Sequence, residues 1–445
     1  MKAGFAKVCM NPPYGSPIVG YYEERLVKGI HDDLFVRATA FDDGANKAVI
    51  IAVDVCLLPQ IFFDECKKAI KEATGICEDA IFINCSHTHT GPLLGEDFAS
   101  DKKSTEAYDA FLIDSIRDAA VYAVADLTEA SVEMASSSVK RISFIRRYRM
   151  KDGSVQTNPG VNNPNIDHAL GTPNETVQLI KIKRENAGDI AMVHFGTHSD
   201  SVGGDYISAD YMGYVCDIVE KAVPGTKCMF ILGCQGDVNH VNVSPTKGET
   251  AISQLDFDGV PRSHELAEHM GRKIAGAVLS IYSITEEVKT DKISCASARV
   301  DLPSHQENDR LEEAGHICKL YDAGRAHELP FKEMELTTAV AEARRIINLE
   351  NGPESYDFFL SAIKVGDLVF AGIGGEPFTE IGNRICEASP FDETILCCLT
   401  NSAGGYIPTR KAYDEGGYEA RGSHLKPGGD DIVVDGMIKL FGRIK

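Results

Sequence analysis

No stretch of this chain is apolar for long enough to cross a bilayer, and Met1 to Val8 lack the hydrophobic run of a signal peptide. The reading that follows is a cytoplasmic protein with no membrane partner. Basic residues are in deficit as well: 45 Lys and Arg face 66 Asp and Glu, a formal net charge of -21. Such a surface repels phosphate backbones and anionic lipid at long range, which argues against nucleic acid as a partner. The CxxC and CxxH spacings of zinc fingers are missing, and the 13 cysteines are odd in number and scattered. Several, including Cys85, Cys228, Cys397 and Cys398, lie inside apolar runs, where reduced thiols act as small hydrophobes; disulfides and thiolate metal sites are not expected. Internal repeats and low-complexity linkers are also lacking, so the 445 residues are read as one domain, with 43% hydrophobic content to fill its core.

What is present alternates short β-branched runs with amphipathic stretches, the pattern of an α/β protein with mixed sheets flanked by helices. Buried strands are predicted at 48–54, 80–86, 190–195, 228–233 and 367–373. Helices are predicted at about 60–74, 104–126, 210–222, 263–282 and 330–350 from apolar spacing and turn residues. The charge-rich stretch 305–350 reads as a helical decoration with a solvated face. Residues 150–175, polar and glycine-containing, read as a long surface loop.

Each apolar run ends in a polar cluster, where chemistry in α/β proteins is usually found. His87 and His89 stand two apart at one such end, so extended backbone would turn both imidazoles to one face, as a metal requires. Two histidines satisfying hydrogen bonds at a sheet edge are the plain alternative. A second run continues His194-Phe195-Gly196-Thr197-His198; His194 lies within it and reads as structural, whereas His198 at the tip is the better ligand. A third places Glu376 just past Gly374 and Gly375, where it could complete a His-His-Glu zinc set or cap a helix, with Glu380 as a solvated first-turn acid. The fourth tip offers Gln235, Asp237 and Asn239, able to bind substrate, orient a ligand or satisfy a turn. The basic patch Arg146-Arg147-Tyr148-Arg149 could attract an anionic small molecule.

A family resemblance joins these segments. In order along the chain stand Pro12-Pro13-Tyr14-Gly15-Ser16-Pro17 with Gly20-Tyr21, then Gly29-Ile30-His31-Asp32 with Leu34 and Arg37-Ala38. His87-Thr88-His89-Thr90-Gly91-Pro92, Gly196-Thr197-His198, Ser208-Ala209-Asp210, Gly236-Asp237-Val238, Gly375-Glu376, Tyr406 and Tyr418-Glu419 follow. Over nearly its whole length the chain resembles the catalytic domain of the neutral (non-lysosomal) ceramidases. The resemblance implies that fold and one zinc ion held by His87, His198, Glu376 and Tyr406, with His89 beside the metal but outside the ligand set. Tyr406 rests on the resemblance alone, since a phenol of pKa ~10 becomes a ligand only when a metal depresses it. The resemblance also points Tyr418 and Arg146 at the scissile carbonyl; Arg147 is the neighbour that a slip of one would select. Two departures stand out: Asn239 occupies the place of a serine in ceramidases, and the chain ends at Lys445 without their C-terminal β-sandwich.

The expected function is a hydrolase dependent on one zinc ion, with other divalent metals as alternatives, that uses activated water on an amide, ester or lactone bond of a small polar substrate. His89, Arg146, Tyr418 and Asp237 are its expected catalytic residues, and Arg147, Gln235 and Asn239 its substrate contacts. A ceramidase acting on lipid would need a deep apolar channel beside the zinc. A metal-binding protein without catalysis would hold the ion and turn nothing over. An amidohydrolase barrel is disfavoured, because about eighty residues precede the HxH pair and no eightfold strand-helix pattern follows.

Overall fold

The computed structural model of the protein describes residues 1–96, 103–307 and 309–445. Its larger sheet has nine strands: β1 (Lys2–Cys9), β2 (Phe35–Asp42), β3 (Lys47–Val53), β4 (Ile81–Cys85), β5 (Thr128–Ser138), β6 (Thr176–Arg184), β7 (Ile190–Phe195), β8 (Lys227–Leu232) and β9 (Glu286–Val288). They run in the order β8-β7-β6-β5-β1-β2-β3-β4, with β9 also paired to β5. Pairing is parallel for β7 with β8 and for β3 with β4, and antiparallel elsewhere, so the sheet is mixed.

The smaller sheet is β10 (Ile293–Pro303), β11 (Ser355–Val365), β12 (Leu368–Ile373) and β13 (Glu393–Cys397), in that order. Alternation along its strands explains the layering. Ile363, Val365, Leu368 and Phe370 join the core beneath the large sheet, with Phe370 against Phe41 and Phe82 at ring distances of 6.4 Å. Leu360, Ala362, Ala371 and Ile373 point the other way, into a second core under the C-terminal helix Gly429–Ile444. A strand covered on both faces reads as a continuous apolar run, which is why 367–373 was legible as buried.

Helices Gln60–Thr74, Glu106–Ala125, Asp210–Ala222, His264–Ile281 and Glu333–Leu349 occupy the stretches expected. Their ends are chemically marked: Thr105 and Ser263 accept from Tyr108 N and Leu266 N as N-caps, and Gly75 closes the first helix in the left-handed conformation. The expected loop at 150–175 is instead part of a three-stranded sheet of Arg147–Met150, Val155–Thr157 and Ile166–Ala169. Strands of three or four residues carry too little alternation to be seen in sequence. All thirteen cysteines are free thiols. No helix among the described residues is long and apolar enough to cross a membrane.

One feature of the large sheet governs the site. Its two edge strands, β4 and β8, are drawn together by the segment after β13. Asn84, buried near the end of β4, accepts from Leu232 N (2.8 Å) on β8 and donates to Cys398 O (2.7 Å). Asn401 accepts from Ile83 N and donates to Ile81 O, both at 3.0 Å, and Cys398 N reaches Leu232 O at 3.2 Å. The polar loops that leave β4, β7, β8 and β12 thereby meet.

Candidate metal centre

Beyond β4 the backbone stays extended only to Ser86. His87 takes φ 63, the left-handed region that non-glycine residues seldom enter, and its N–H donates to Val55 O at 2.8 Å. The strand alternation expected to align His87 with His89 therefore does not operate. The turn itself brings the rings together, with their Nε2 atoms 3.3 Å apart. Nε2 of His198, two residues past Gly196 at the end of β7, lies 3.2 Å from that of His87 and 3.1 Å from that of His89. Oε2 of Glu376, from the loop after β12, is 3.2 Å from His87 Nε2.

Against the lowering effect of burial, Cys56 and then Glu376 raise the His87 pKa well above the ordinary imidazole value, so the buried carboxylate calls for positive charge beside it. Ligands bound at ~2.0–2.1 Å to one tetrahedral zinc lie roughly 3.3–3.4 Å apart, close to the spacings seen. The donor set fits a divalent cation. Groups behind it decide which nitrogens are free. His87 Nδ1 donates to Cys56 O at 2.8 Å, and His198 Nδ1 donates to Gln235 Oε1, so both rings present Nε2. The Gln235 amide then donates to Glu376 Oε2 at 3.0 Å, tying two prospective ligands to one buried side chain. His89 differs. Its Nδ1 has no hydrogen bond, and its nearest carboxylate is Asp200 at 3.8 Å. It is held through its backbone, where Arg25 donates to His89 O at 2.7 Å.

Electrostatics follow from burial and charge. Burial lowers the His89 pKa to about 3 and the neighbouring Asp200 does not make up the difference, so the ring is neutral at pH 7. His198 is held well below the ordinary imidazole value by burial and then by Arg146. Burial pushes the Glu376 carboxyl upward, yet His87, Gln235 and Arg146 outweigh it and hold the group below the usual range. Tyr406 is raised by burial and then by Glu376, so its phenol stays protonated unless a cation joins the site.

Tyr406, Tyr418, Arg146, His89 and His198 line one cavity of about 50 Å³. Arg146 stands 5.3 Å from the Tyr406 ring centre, pairs with buried Glu419 at 2.6 Å and donates to Gly236 O at 2.8 Å. The Tyr406 and Tyr418 rings are 5.7 Å apart. Arg147 turns away from the cavity and donates to Gly416 O (2.8 Å) and Glu415 (3.2 Å). Gln235, placed on the substrate by the sequence reading, instead has both ends of its amide on prospective ligands. Asp237, grouped with the catalytic residues, accepts from Thr379 N (2.7 Å) and Oγ1 (2.8 Å) and so starts the helix Thr379–Ala388. Asn239, expected to touch substrate, reaches the cavity only through Asn158, to whose Oδ1 it donates at 3.1 Å. His194 bridges the sheets between Gln178 Oε1 (2.9 Å) and Leu396 O (3.0 Å), as a structural histidine should.

Sequence reasoning missed the network behind His89. Tyr21 donates to Asp200 Oδ1 at 2.5 Å, and Arg262 holds both Asp200 (3.0 and 2.6 Å) and Asp258 (2.7 and 2.9 Å). Its sequence signals were the place of Tyr21 in the family resemblance and the position of Asp200, two residues beyond His198.

Fold and site together define a mixed α/β protein whose strand-end loops converge on a buried histidine-carboxylate centre. Residues 9–256 match the family described as neutral/alkaline non-lysosomal ceramidase, N-terminal, and the chain belongs to that family. Among solved structures, the neutral ceramidase from Pseudomonas aeruginosa is similar over 100% of this chain and 75% of its own, with 18% identity and a TM-score of 0.73. A ceramidase complexed with C2 is similar over 99% and 74%, with 16% identity and a TM-score of 0.72. At such identities the likeness concerns the fold, which is the one the resemblance implied.

Proposed function

We propose that this protein is a zinc-dependent hydrolase that cleaves an amide bond in a small polar substrate, with ester and lactone cleavage open to the same machinery. The observation that carries the reading is the cluster of three Nε2 atoms and Glu376 beside one cavity. Family membership makes an amide the first bond to test. Two imidazoles, a carboxylate and a phenol suit zinc better than magnesium or calcium, which favour all-oxygen shells.

In this reading His87, His198, Glu376 and Tyr406 hold the ion, and the carbonyl oxygens behind His87 and His198 keep Nε2 directed at it. When bound, zinc supplies Lewis-acid polarisation of the carbonyl and brings the pKa of a water to about 7. His89 Nε2, neutral and 3.1–3.3 Å from the ligand nitrogens, accepts the proton of the attacking water. The bare Nδ1 of His89 favours this role over ligation, because metal-bound histidines almost always have a partner on the other nitrogen. Arg146 and Tyr418 donate to the oxyanion that develops on the carbonyl. Burial and the Glu419 pair fix the Arg146 guanidinium before substrate arrives, so little reorganisation is needed.

The test is metal analysis of the wild type beside His87→Ala, Glu376→Ala and His89→Ala, followed by an amide, ester and lactone panel. Expected are one zinc per wild-type chain, loss of zinc in the first two variants, and zinc without turnover in His89→Ala. Full zinc in both His87→Ala and Glu376→Ala would remove the proposed centre. Zinc with no turnover anywhere in the panel would leave a metal-binding protein.

A further inference from the structure

We propose that the metal-side cavity admits only amides with short groups on both sides of the scissile bond, and that Tyr321 and Met334 form the wall that sets this limit. The inference rests on the hydrolase reading above and narrows its substrate class.

The charged stretch 305–350 forms two helices, Leu311–Asp322 and Glu333–Leu349. Its outer face is solvated, as expected of its composition. Its inner face carries Tyr321, Met334 and Thr337 into the cavity that holds His89, His198 and Tyr406. The pair is fastened down. Arg345, almost wholly buried, donates to Arg421 O (2.8 Å) and His305 O (2.7 Å) and pairs with Glu307. Glu342 holds both Arg310 (3.1 and 3.2 Å) and Arg421 (2.6 Å). Arg421 lies on the short helix that begins with Tyr418, so the wall and a cavity residue are joined by ion pairs. A wall fixed in this way ends the cavity rather than swinging clear of it.

The remaining walls do not suit a lipid. At about 50 Å³ the cavity is far smaller than pockets for drug-sized ligands and leaves no room to enclose two long alkyl chains. Buried Arg146, Asp200, Arg262 and Asp258 share the wall with Tyr21, Phe257 and Met334, so a few methylenes meet apolar surface whereas a longer chain would be pressed against ionised groups. A larger apolar hollow, about 140 Å³ with Ile142, Phe144 and Met270 in its wall, lies on the far side of Pro261. Val260 and Arg262 face the metal side while Pro261 faces the hollow, and His240 Nε2 donates to Pro261 O at 2.8 Å, so the partition is itself hydrogen-bonded.

The experiment uses the zinc-loaded full chain and two series of simple amides, one lengthening the acyl group and the other the amine. Within the cavity each added methylene should raise kcat/KM about fourfold, the effect of burying a CH2. The rise should stop after a few carbons in both series, and the combined Tyr321→Ala and Met334→Ala variant should extend it in at least one by tenfold or more for the longer members. A hexadecanoyl amide cleaved as well as an acetyl amide by the wild type would overturn the proposal. So would a double variant that remains folded and zinc-loaded with an unchanged length profile. Binding of acetate, butanoate, hexanoate and decanoate, followed by calorimetry, needs no turnover and separates this inference from the hydrolase reading. An affinity that levels off by hexanoate supports the wall even if no amide is cleaved, whereas a steady rise through decanoate or no carboxylate binding refutes it.

Discussion

Replacing Gln235 by leucine removes one amide that holds two prospective ligands at once, His198 through its oxygen and Glu376 through its nitrogen. The change keeps the bulk of a fully buried side chain and takes away only its polar ends. Loss of a group that orients a metal ligand typically lowers affinity 10–100-fold, and with two ligands released the expected loss is about 100-fold, or about 2.7 kcal/mol. His198 Nδ1 would also be left buried without a partner and Glu376 Oε2 would keep only His87, which costs about 1–3 kcal/mol of stability in the metal-free protein. Competition against a chelating dye measures the first effect and thermal melting of the apoprotein the second. A contact with substrate would behave differently, raising KM while leaving zinc affinity intact. Zinc affinity within about threefold of wild type in Gln235→Leu would refute the orienting role.

Two further perturbations test the surroundings of the site. Gly20 has φ +119, and a Cβ there would meet His89 Nδ1 at 2.8 Å, so Gly20→Ala should cost ~1–3 kcal/mol in a denaturant melt and depress turnover more than tenfold with zinc still bound. Retained full activity would show that the His89 ring need not stay where it is. Glu342 is pulled down to about 2 by Arg421 and Arg310 against the opposing effect of its own burial. A folded-state pKa below the unfolded value gives stability that is present above about pH 4.5 and lost as pH falls through about 2, on the order of 2 kcal/mol after allowance for partial exposure. Glu342→Gln should flatten that acid limb in urea melts at stepped pH, and an unchanged limb would mean the ion pairs contribute nothing.

Much of the architecture was readable in sequence because the central strands are covered on both faces and so appear as unbroken apolar runs ending in His, Gly or Glu. His87, His198 and Glu376 stand at or just beyond those ends. The route by which His87 and His89 converge was not readable, since a left-handed residue after a strand leaves no mark when it is not glycine. Gln235 and Asp237 were seen as polar groups at a tip, but whether such groups face substrate, ligand or a helix end depends on loops as much as 142 residues away. The charged helices at 305–350 show the limit of patterning. Spacing reveals a solvated face, whereas the opposite face, with Tyr321 and Met334, takes its meaning from the cavity it closes.

The bridging of β4 and β8 through Asn84 and the segment after β13 has a consequence for how the protein matures. The bonds from Asn84 to Cys398 and to Leu232 span 314 and 148 residues, and those from Asn401 to Ile83 and Ile81 span 318 and 320. Closing such loops carries an entropic penalty that local contacts cannot offset, so this seam should form late in folding. Until it does, His87, His198 and Glu376 belong to separate pieces of chain. Uptake of the proposed metal ion should therefore coincide with completion of this seam, and the rate at which a refolding sample takes up the ion would time that final closure.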